Sequence, residues 1–187
     1  MNLQEFKKKT LGLIEEVSPN NENLTDDPDI ATKFNDVTNQ VMFEMARFKK
    51  IPKYFEVPVS KGDVLTFEDL EKECGYEVYQ VKMVSGVGYA PKADGTVMKF
   101  IEDGTAEIDF YLYPERITEK TKDKAYEFEL SPDALEVMVY GVAADLLKSD
   151  VSTEYGAIYA QRFETMLARL DPRYQTTGIT FEGGLMT

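Results

Sequence analysis

The stretch SPDALEVMVYGVAADLLKSDVSTEYGAIYAQRFETMLARLDPR, residues 131–173, constrains this chain most. Ser131, Pro132 and Asp133 read as a helix start: a capping hydroxyl, a first-turn proline whose missing N–H costs nothing, and an acid on the positive end of the dipole. Leu135, Met138, Val139, Val142, Leu146 and Leu147 then recur at three- and four-residue steps, which puts them on one helical face. After a break at 149–152, Tyr155, Ile158, Tyr159, Phe163, Met166, Leu167 and Leu170 form a second amphipathic run. Pro172 stops it and disfavours helical geometry at Asp171. A link this short predicts an antiparallel helical hairpin. Gly141, Ala143, Ala144, Gly156, Ala157 and Ala160 predict close approach of neighbouring helices, because each helix-interior glycine costs about 1 kcal/mol against alanine and close packing is its compensation.

Composition narrows what such a hairpin can belong to. The 187 residues, 43% of them hydrophobic and 12% aromatic, describe a globular chain of one domain with room for a subdomain. No apolar run reaches bilayer-spanning length, and MNLQEFKKKT lacks the apolar core of a signal peptide. The single Cys74 excludes an intramolecular disulfide framework and fits a reducing compartment. The chain has no histidine, which removes Ser-His and Cys-His nucleophile activation, histidine-ligated metals and the usual base near neutral pH. Its net charge of −13 falls as −2 on residues 1–50, −7 on 51–130 and −4 on 131–187. Tight wrapping of nucleic acid needs basic groups that displace counterions, so this balance argues against it.

Along the chain, Asn2 and Glu5 stand at capping-box spacing before Leu3, Phe6, Leu13, Ile14 and Val17. Lys7, Lys8 and Lys9 read as a solvated face or, more sharply, as a basic docking patch. Asp26–Asp29 lacks the spacing and glycine of a calcium loop and reads as a helix start. The helix after it carries Ile30, Phe34, Val37, Val41, Met45 and Phe48 on one stripe, with Met42 and Phe43 spilling onto other faces. From Ile51 the period alternates, predicting strands over 54–59, 76–84, 97–101, 106–113 and 126–130. Asp103–Gly104 signals a tight hairpin and Asp94–Gly95 a second turn; Thr66 and Asp69 open a short helix ending at Gly75. In 106–113, Ala106, Ile108, Phe110 and Leu112 share the buried face, opposite Glu107, Asp109, Tyr111 and Tyr113. The expected fold class is α+β: a helical core from 1–50 and 131–173, an inserted antiparallel β subdomain over 51–130, and an extended tail over 174–187. The tail residues Ile179, Phe181, Leu185 and Met186 have no place in the chain's own core.

A search for chemistry returns little. Ser85-Gly86-Val87-Gly88 lacks the rest of a phosphate-binding motif and reads as a strand-ending turn. The acid pairs Glu15/Glu16, Glu102/Asp103 and Glu68/Asp69/Glu71 read as solvated surface. Glu71, Glu73 and Glu77 near Cys74 make the wrong field for a thiolate nucleophile. Tyr76, Tyr79, Tyr89, Tyr111 and Tyr113 could stack bases, but basic partners are sparse in sequence. The expectation is a binding or structural protein, not an enzyme, with no catalytic residues, cofactor or metal.

Two segments resemble the head–tail connector (adaptor) proteins of tailed bacteriophages. One is YLYPERITEKTKDKAYEFELSPDALEVMVYGVAADLLKSD at 111–150: a strand ending in aromatic-Pro, a charged turn, a short strand, then a helix with YGVAADLL. The other is YGAIYAQRFETMLARLDPR at 155–173. The resemblance covers the C-terminal half and matches the N-terminal helices in layout only. It implies a ring, commonly a dodecamer, beneath the portal protein in the virion neck, assembled from subunits in the host cytoplasm. Such rings extend the DNA channel, hold packaged double-stranded DNA and offer tail or neck proteins a docking surface. It also implies that the tail, through Ile179, Phe181, Leu185 and Met186, reaches the portal. Tyr111 and Tyr113 are expected either to contact the next subunit or a tail protein, or to cover a second layer of the same subunit. The alternatives are a tail-completion or terminator protein of the same virion, and an acidic cellular adaptor or inhibitor of a basic partner.

Overall fold

A computed structural model describes residues 1–149 and 154–170. Five helices and six strands follow in the order α1 (Leu3–Leu13), α2 (Pro28–Phe48), β1 (Ile51–Val59), β2 (Val64–Thr66), α3 (Phe67–Cys74), β3 (Val78–Ser85), β4 (Tyr89–Lys92), β5 (Val97–Phe100), β6 (Gly104–Leu112), α4 (Pro132–Leu146) and α5 (Tyr155–Leu170). The class is α+β, with helices on both sides of the β segment in sequence.

α4 is the axis of the helical part. It is buried almost all round, not on one face as its spacing predicts: Ala134, Val137, Ala143 and Ala144 are as inaccessible as Leu135, Met138 and Val142. The reason is that α1, α2 and α5 all pack against it. A Cβ added to Gly141 would lie 2.8 Å from the Phe163 ring and 2.8 Å from Val41 Cγ1, so this glycine is where α5 and α2 both reach the α4 backbone. Gly156 of α5 similarly sits against Leu147. Position 141 faces 163 while 147 faces 156, so α4 and α5 run antiparallel, the predicted hairpin. Ser131 occupies the N-cap of α4, but its hydroxyl makes no capping bond; its carbonyl accepts from Leu135 N–H at 3.0 Å.

Capping elsewhere follows the sequence. Asn2 and Glu5 form a reciprocal capping box on α1. Asp27 accepts from the N–H groups of Asp29 and Ile30 at the start of α2. Thr66 and Asp69 do the same for α3, which ends at left-handed Gly75. In α2 the buried face is Ile30, Phe34, Thr38, Val41, Met42, Met45 and Ala46, so Met42 belongs to the core, while Val37, Phe43 and Phe48 are half-buried at its margin. The Lys7–Lys9 run is not solvated throughout. Lys7 is buried, its ammonium 2.8 Å from Asp123 and 5.7 Å from the Phe34 ring centre, and Lys9 pairs with Glu136. Lys8 and Lys9 are both exposed, and Lys8 has no such partner among the described residues.

The β segment forms two antiparallel three-stranded sheets, ordered β1–β6–β3 and β2–β5–β4, where one sheet was expected. Pro52, Pro58 and Pro91 lie in β1 and β4, both edge strands, where a missing N–H is tolerated. The Asp103–Gly104 pair is not a hairpin: β5 and β6 belong to different sheets, and Gly104 brings the chain close past Val87. The Asp94–Gly95 turn does form, joining β4 to β5 with Gly95 at φ 86°. Ser85–Gly88 is the turn from β3 to β4, with Gly86 at φ 81° against the Thr105 carbonyl. Residues 126–130 alternate buried and exposed as a strand would, yet pair in no ladder. They run against the start of α1, with Leu3 N–H donating to the Tyr126 carbonyl at 3.0 Å and Phe128 5.1 Å from Phe6. The alternation reports a helix on one side and water on the other. The inward face of β6 (Ala106, Ile108, Phe110, Leu112) joins Met98, Phe100 and Leu70 in one apolar cluster continuous with the helical core.

Gly141→Ala gains about 1 kcal/mol of helix propensity, but overpacking against Phe163 and Val41 costs about 1–3 kcal/mol. The expected result is a lower denaturation midpoint with an unchanged urea slope, read by circular dichroism.

Candidate interaction surface

The outer face of the β1–β6–β3 sheet is the candidate site. Register alone assigns its residues: Pro52 lies opposite Tyr111, Tyr54 opposite Asp109 and Glu56 opposite Glu107 on the β1 side. On the β3 side Gln80, Met83 and Ser85 stand beside Tyr111, Asp109 and Glu107. The opposite pleat, ending in Phe110 and Leu112, is buried, so these outward residues have no layer over them from their own strands. Tyr54 is 54% and Met83 51% exposed, large apolar groups left in water in the middle of a polar face.

The structure separates the two tyrosines that the sequence puts together. Tyr113 follows the end of β6 and closes a seam between sheet and helices. Its ring stacks on Phe43 of α2 at 5.5 Å and meets Tyr79 edge-on at 5.0 Å, while its N–H donates to the Glu77 carbonyl at 2.9 Å. Tyr111 stays on the open face, half-buried, with the Lys50 ammonium 4.8 Å from its ring centre. Lys50 also sits 5.6 Å from the Tyr79 ring and donates to Gln80 at 2.8 Å. The Arg116 guanidinium lies 4.5 Å over Phe43. A cleft of about 510 Å³ opens there, lined by Asp36, Asn39, Gln40, Phe43, Glu44, Arg47 and Arg116. Sequence reasoning passed over Lys50, Arg47 and Arg116, because only the fold brings the start of β1, the end of α2 and the loop after β6 to one place.

The far end of the same face is acidic. Glu56 and Glu107 are directly cross-strand neighbours, an arrangement that costs stability. Ser85 Oγ donates to Glu107 at 2.9 Å and Tyr54 Oη to Glu56 at 2.6 Å. That hydrogen bond to Glu56, with a smaller effect of burial and the charges of Glu107, Glu56 and Asp109, pushes the Tyr54 phenol up to about 12. Ionising Tyr54 would add a fourth negative charge to this end.

The tail residues Ile179, Phe181, Leu185 and Met186 lie outside the described residues. Among the described residues no group of three or more cysteine or acidic side chains is placed to hold a metal ion, and no helix is long and apolar enough to cross a membrane. The arrangement is a sheet face with Tyr111 and Lys50 toward one end and Glu56, Glu107 and Asp109 toward the other. No family model matches the sequence, and no curated protein matches it.

Two outcomes follow from these contacts. Tyr113→Ser should cost the isolated subunit about 1–3 kcal/mol by emptying the seam. Tyr111→Ser should cost less than about 1 kcal/mol, the scale of an exposed cation–π contact; paired denaturant melts give both numbers. Tyr54 should titrate near 12, in phenolate absorbance, and Glu56→Gln should move it back toward the ordinary tyrosine range. With its folded value raised, Tyr54 contributes stability fully present below the unfolded tyrosine value of about 10 and lost as pH rises through about 12.

Proposed function

We infer that this protein is a structural subunit of the head–tail connector of a tailed bacteriophage, forming a ring beneath the portal, extending the DNA channel and presenting a surface to the tail. The observation that carries the reading is the sequence resemblance over 111–150 and 155–173. Of these, residues 111–149 and 155–170 supply the end of β6 and its seam with α2, the loop against α1, the buried axis α4, and the antiparallel α5. The sheet's outer face, with Tyr54 and Met83 exposed and Tyr111 half-buried, suits a contact with another protein: tyrosine brings area and a hydrogen-bonding tip at low rotamer cost. A channel-forming protein should not hold DNA tightly, and a net charge of −13 favours passage over capture. The chain's work on this reading is mechanical rather than catalytic, in the virion neck.

A second reading, an acidic adaptor or inhibitor of a basic partner, draws on Glu56, Glu107 and Asp109 at the acidic end of the face. The two readings part on the portal. A connector subunit should co-sediment with portal assemblies and form a ring on them, whereas an inhibitor should ignore them and remain monomeric. Deleting residues 178–187 should leave the melting curve of the subunit unchanged and abolish portal co-sedimentation. Equal portal affinity for the truncated and full-length chains removes the tail from the attachment, and no portal binding by either removes the connector reading.

A further inference from the structure

Two clefts meet along Arg116, where the loop after β6 lies against α2. The first, about 510 Å³, opens over Phe43, and the second, about 500 Å³, is lined by Tyr76, Tyr113 and Pro114. The Phe43 and Tyr113 rings stack at 5.5 Å, so one aromatic floor runs from cleft to cleft. The rims are acidic. Asp36 and Glu44 border the first cleft and Glu77, Glu115 and Glu129 the second, five carboxylates against the guanidinium groups of Arg47 and Arg116. Asp36, Glu44, Glu77 and Glu115 are exposed, and among the described residues none of these four has a cation within 4.0 Å. Glu129 is paired, with Lys53 at 3.5 Å. The chain's own cations reveal what the floor accepts. Lys53 sits 4.8 Å from the centre of the Tyr76 ring beside Glu129, so one ammonium has both a ring face and a carboxylate. Arg116 lies 4.5 Å over Phe43 with no carboxylate paired to it, although Asp36 and Glu44 border the same cleft. The second cleft therefore has its cation supplied from within, while the first has the ring and the acids but not the pairing.

We propose that this groove binds a segment of another protein that carries arginine or lysine, one cationic side chain of the segment taking the place of Arg116 over Phe43, with Asp36, Glu44 and Glu115 as its carboxylates. Arg116 is exposed and belongs to a loop, so it can turn out to solvent as the segment enters. Charge selects this partner. An acidic segment or a nucleic-acid strand would meet a rim of unpaired carboxylates, whereas a basic one pairs acids that the fold leaves unpaired. Shape selects it as well: a single small cation fills one cleft, and two clefts on a shared aromatic floor take side chains from successive parts of a chain. Docking also covers Tyr76, 43% exposed at the far end of the floor. A cation laid on a ring gains most when the site is partly desolvated, and a segment lying in the groove supplies that cover itself. The inference goes beyond the connector reading and does not rest on it, since neither the sheet's outer face nor the tail takes part.

The test is fluorescence polarisation with a short fluorescein-labelled peptide of alternating arginine and glycine, and its glutamate counterpart as control. At low salt the full chain should bind the arginine peptide and not the glutamate one, and the binding should weaken as salt screens the exposed charges. The triple variant Asp36→Asn/Glu44→Gln/Glu115→Gln should weaken it about tenfold or more. Removing the same charge away from the groove, in Glu15→Gln/Glu154→Gln/Glu164→Gln, should change it less than about twofold. Arg116→Gln should tighten binding, because it frees the Phe43 ring and removes a like charge. Circular dichroism checks that each variant folds; if the groove variant does not, Glu44→Gln alone takes its place and should still weaken binding. No binding of the arginine peptide by the wild type overturns the proposal. Equal losses in the two triple variants overturn it too, since the attraction is then that of an acidic chain at large, and so does weaker binding by Arg116→Gln. Sedimentation velocity covers the remaining occupant: self-association of the wild type that the groove variant abolishes replaces the separate partner with a second copy and overturns the proposal. No portal is present in these measurements, so their failure leaves the connector reading where it stands.

Discussion

The packing of α4 at Gly141 is the contact on which the arrangement of the chain depends. One missing side chain lets the Phe163 ring from α5 and Val41 from α2 reach the same stretch of α4 backbone. With two neighbours that close and α1 on a further side, little is left for water beyond Pro132, Asp133 and Glu136, and the helix carries apolar or small residues nearly all round. Its charges are pushed to the ends and rim: Asp133 pairs with Lys49 beyond α2, Glu136 with Lys9 of α1, and Asp145 with Lys148. The sheet segment is then attached to α2 through the Phe43–Tyr113–Tyr79 seam and through the apolar cluster that continues from the helices into β6.

Much of this was legible in the residues. Caps on α1, α2 and α3 are short-range chemistry, in which a side chain meets a backbone two or three residues away, and they formed where the spacing said. The alternation in β6 separated buried from exposed positions correctly because one face meets a core and the other does not. What was not legible depended on who the neighbour is. Leu135 and Met138 look the same whether a helix has one partner or three, so the sequence stripe on α4 underestimates its burial. Residues 126–130 alternate against α1 much as they would against a strand. Asp103–Gly104 has the chemistry of a tight turn, but pairing is decided by sheets far away in sequence, and β5 and β6 found different partners.

The candidate face shows the same division. Tyr111 and Tyr113 were marked by their shared outward parity, which is a property of the strand. That they have different roles follows from Phe43, seventy residues before Tyr113, packed beside it and not beside Tyr111. The cations were invisible for the same reason: Arg47 is in the last turn of a helix, Lys50 precedes a strand and Arg116 lies in a loop. Each alone is an ordinary surface charge.

Brought together, they matter because of what the fold does not do with them. Among the described residues Lys7, Lys9, Lys33, Lys49, Lys53, Lys72 and Lys148 pair with carboxylates, and Lys50, Arg47 and Arg116 are among the larger number of cations that do not. An exposed pair of that kind contributes at most about 1 kcal/mol, so leaving a cation out sacrifices little stability. Placing Glu56 opposite Glu107 is a different matter, since the register of β1 on β6 forces like charges together and neither residue is needed by the core. A lysine at either position would relieve the repulsion without touching a buried side chain. The outer face therefore carries a destabilising choice that the fold itself does not require, on the side of the sheet where Tyr54 and Met83 also remain uncovered. Charge repulsion and exposed apolar area both fall when a partner of complementary pattern arrives, and on this surface the two occur together.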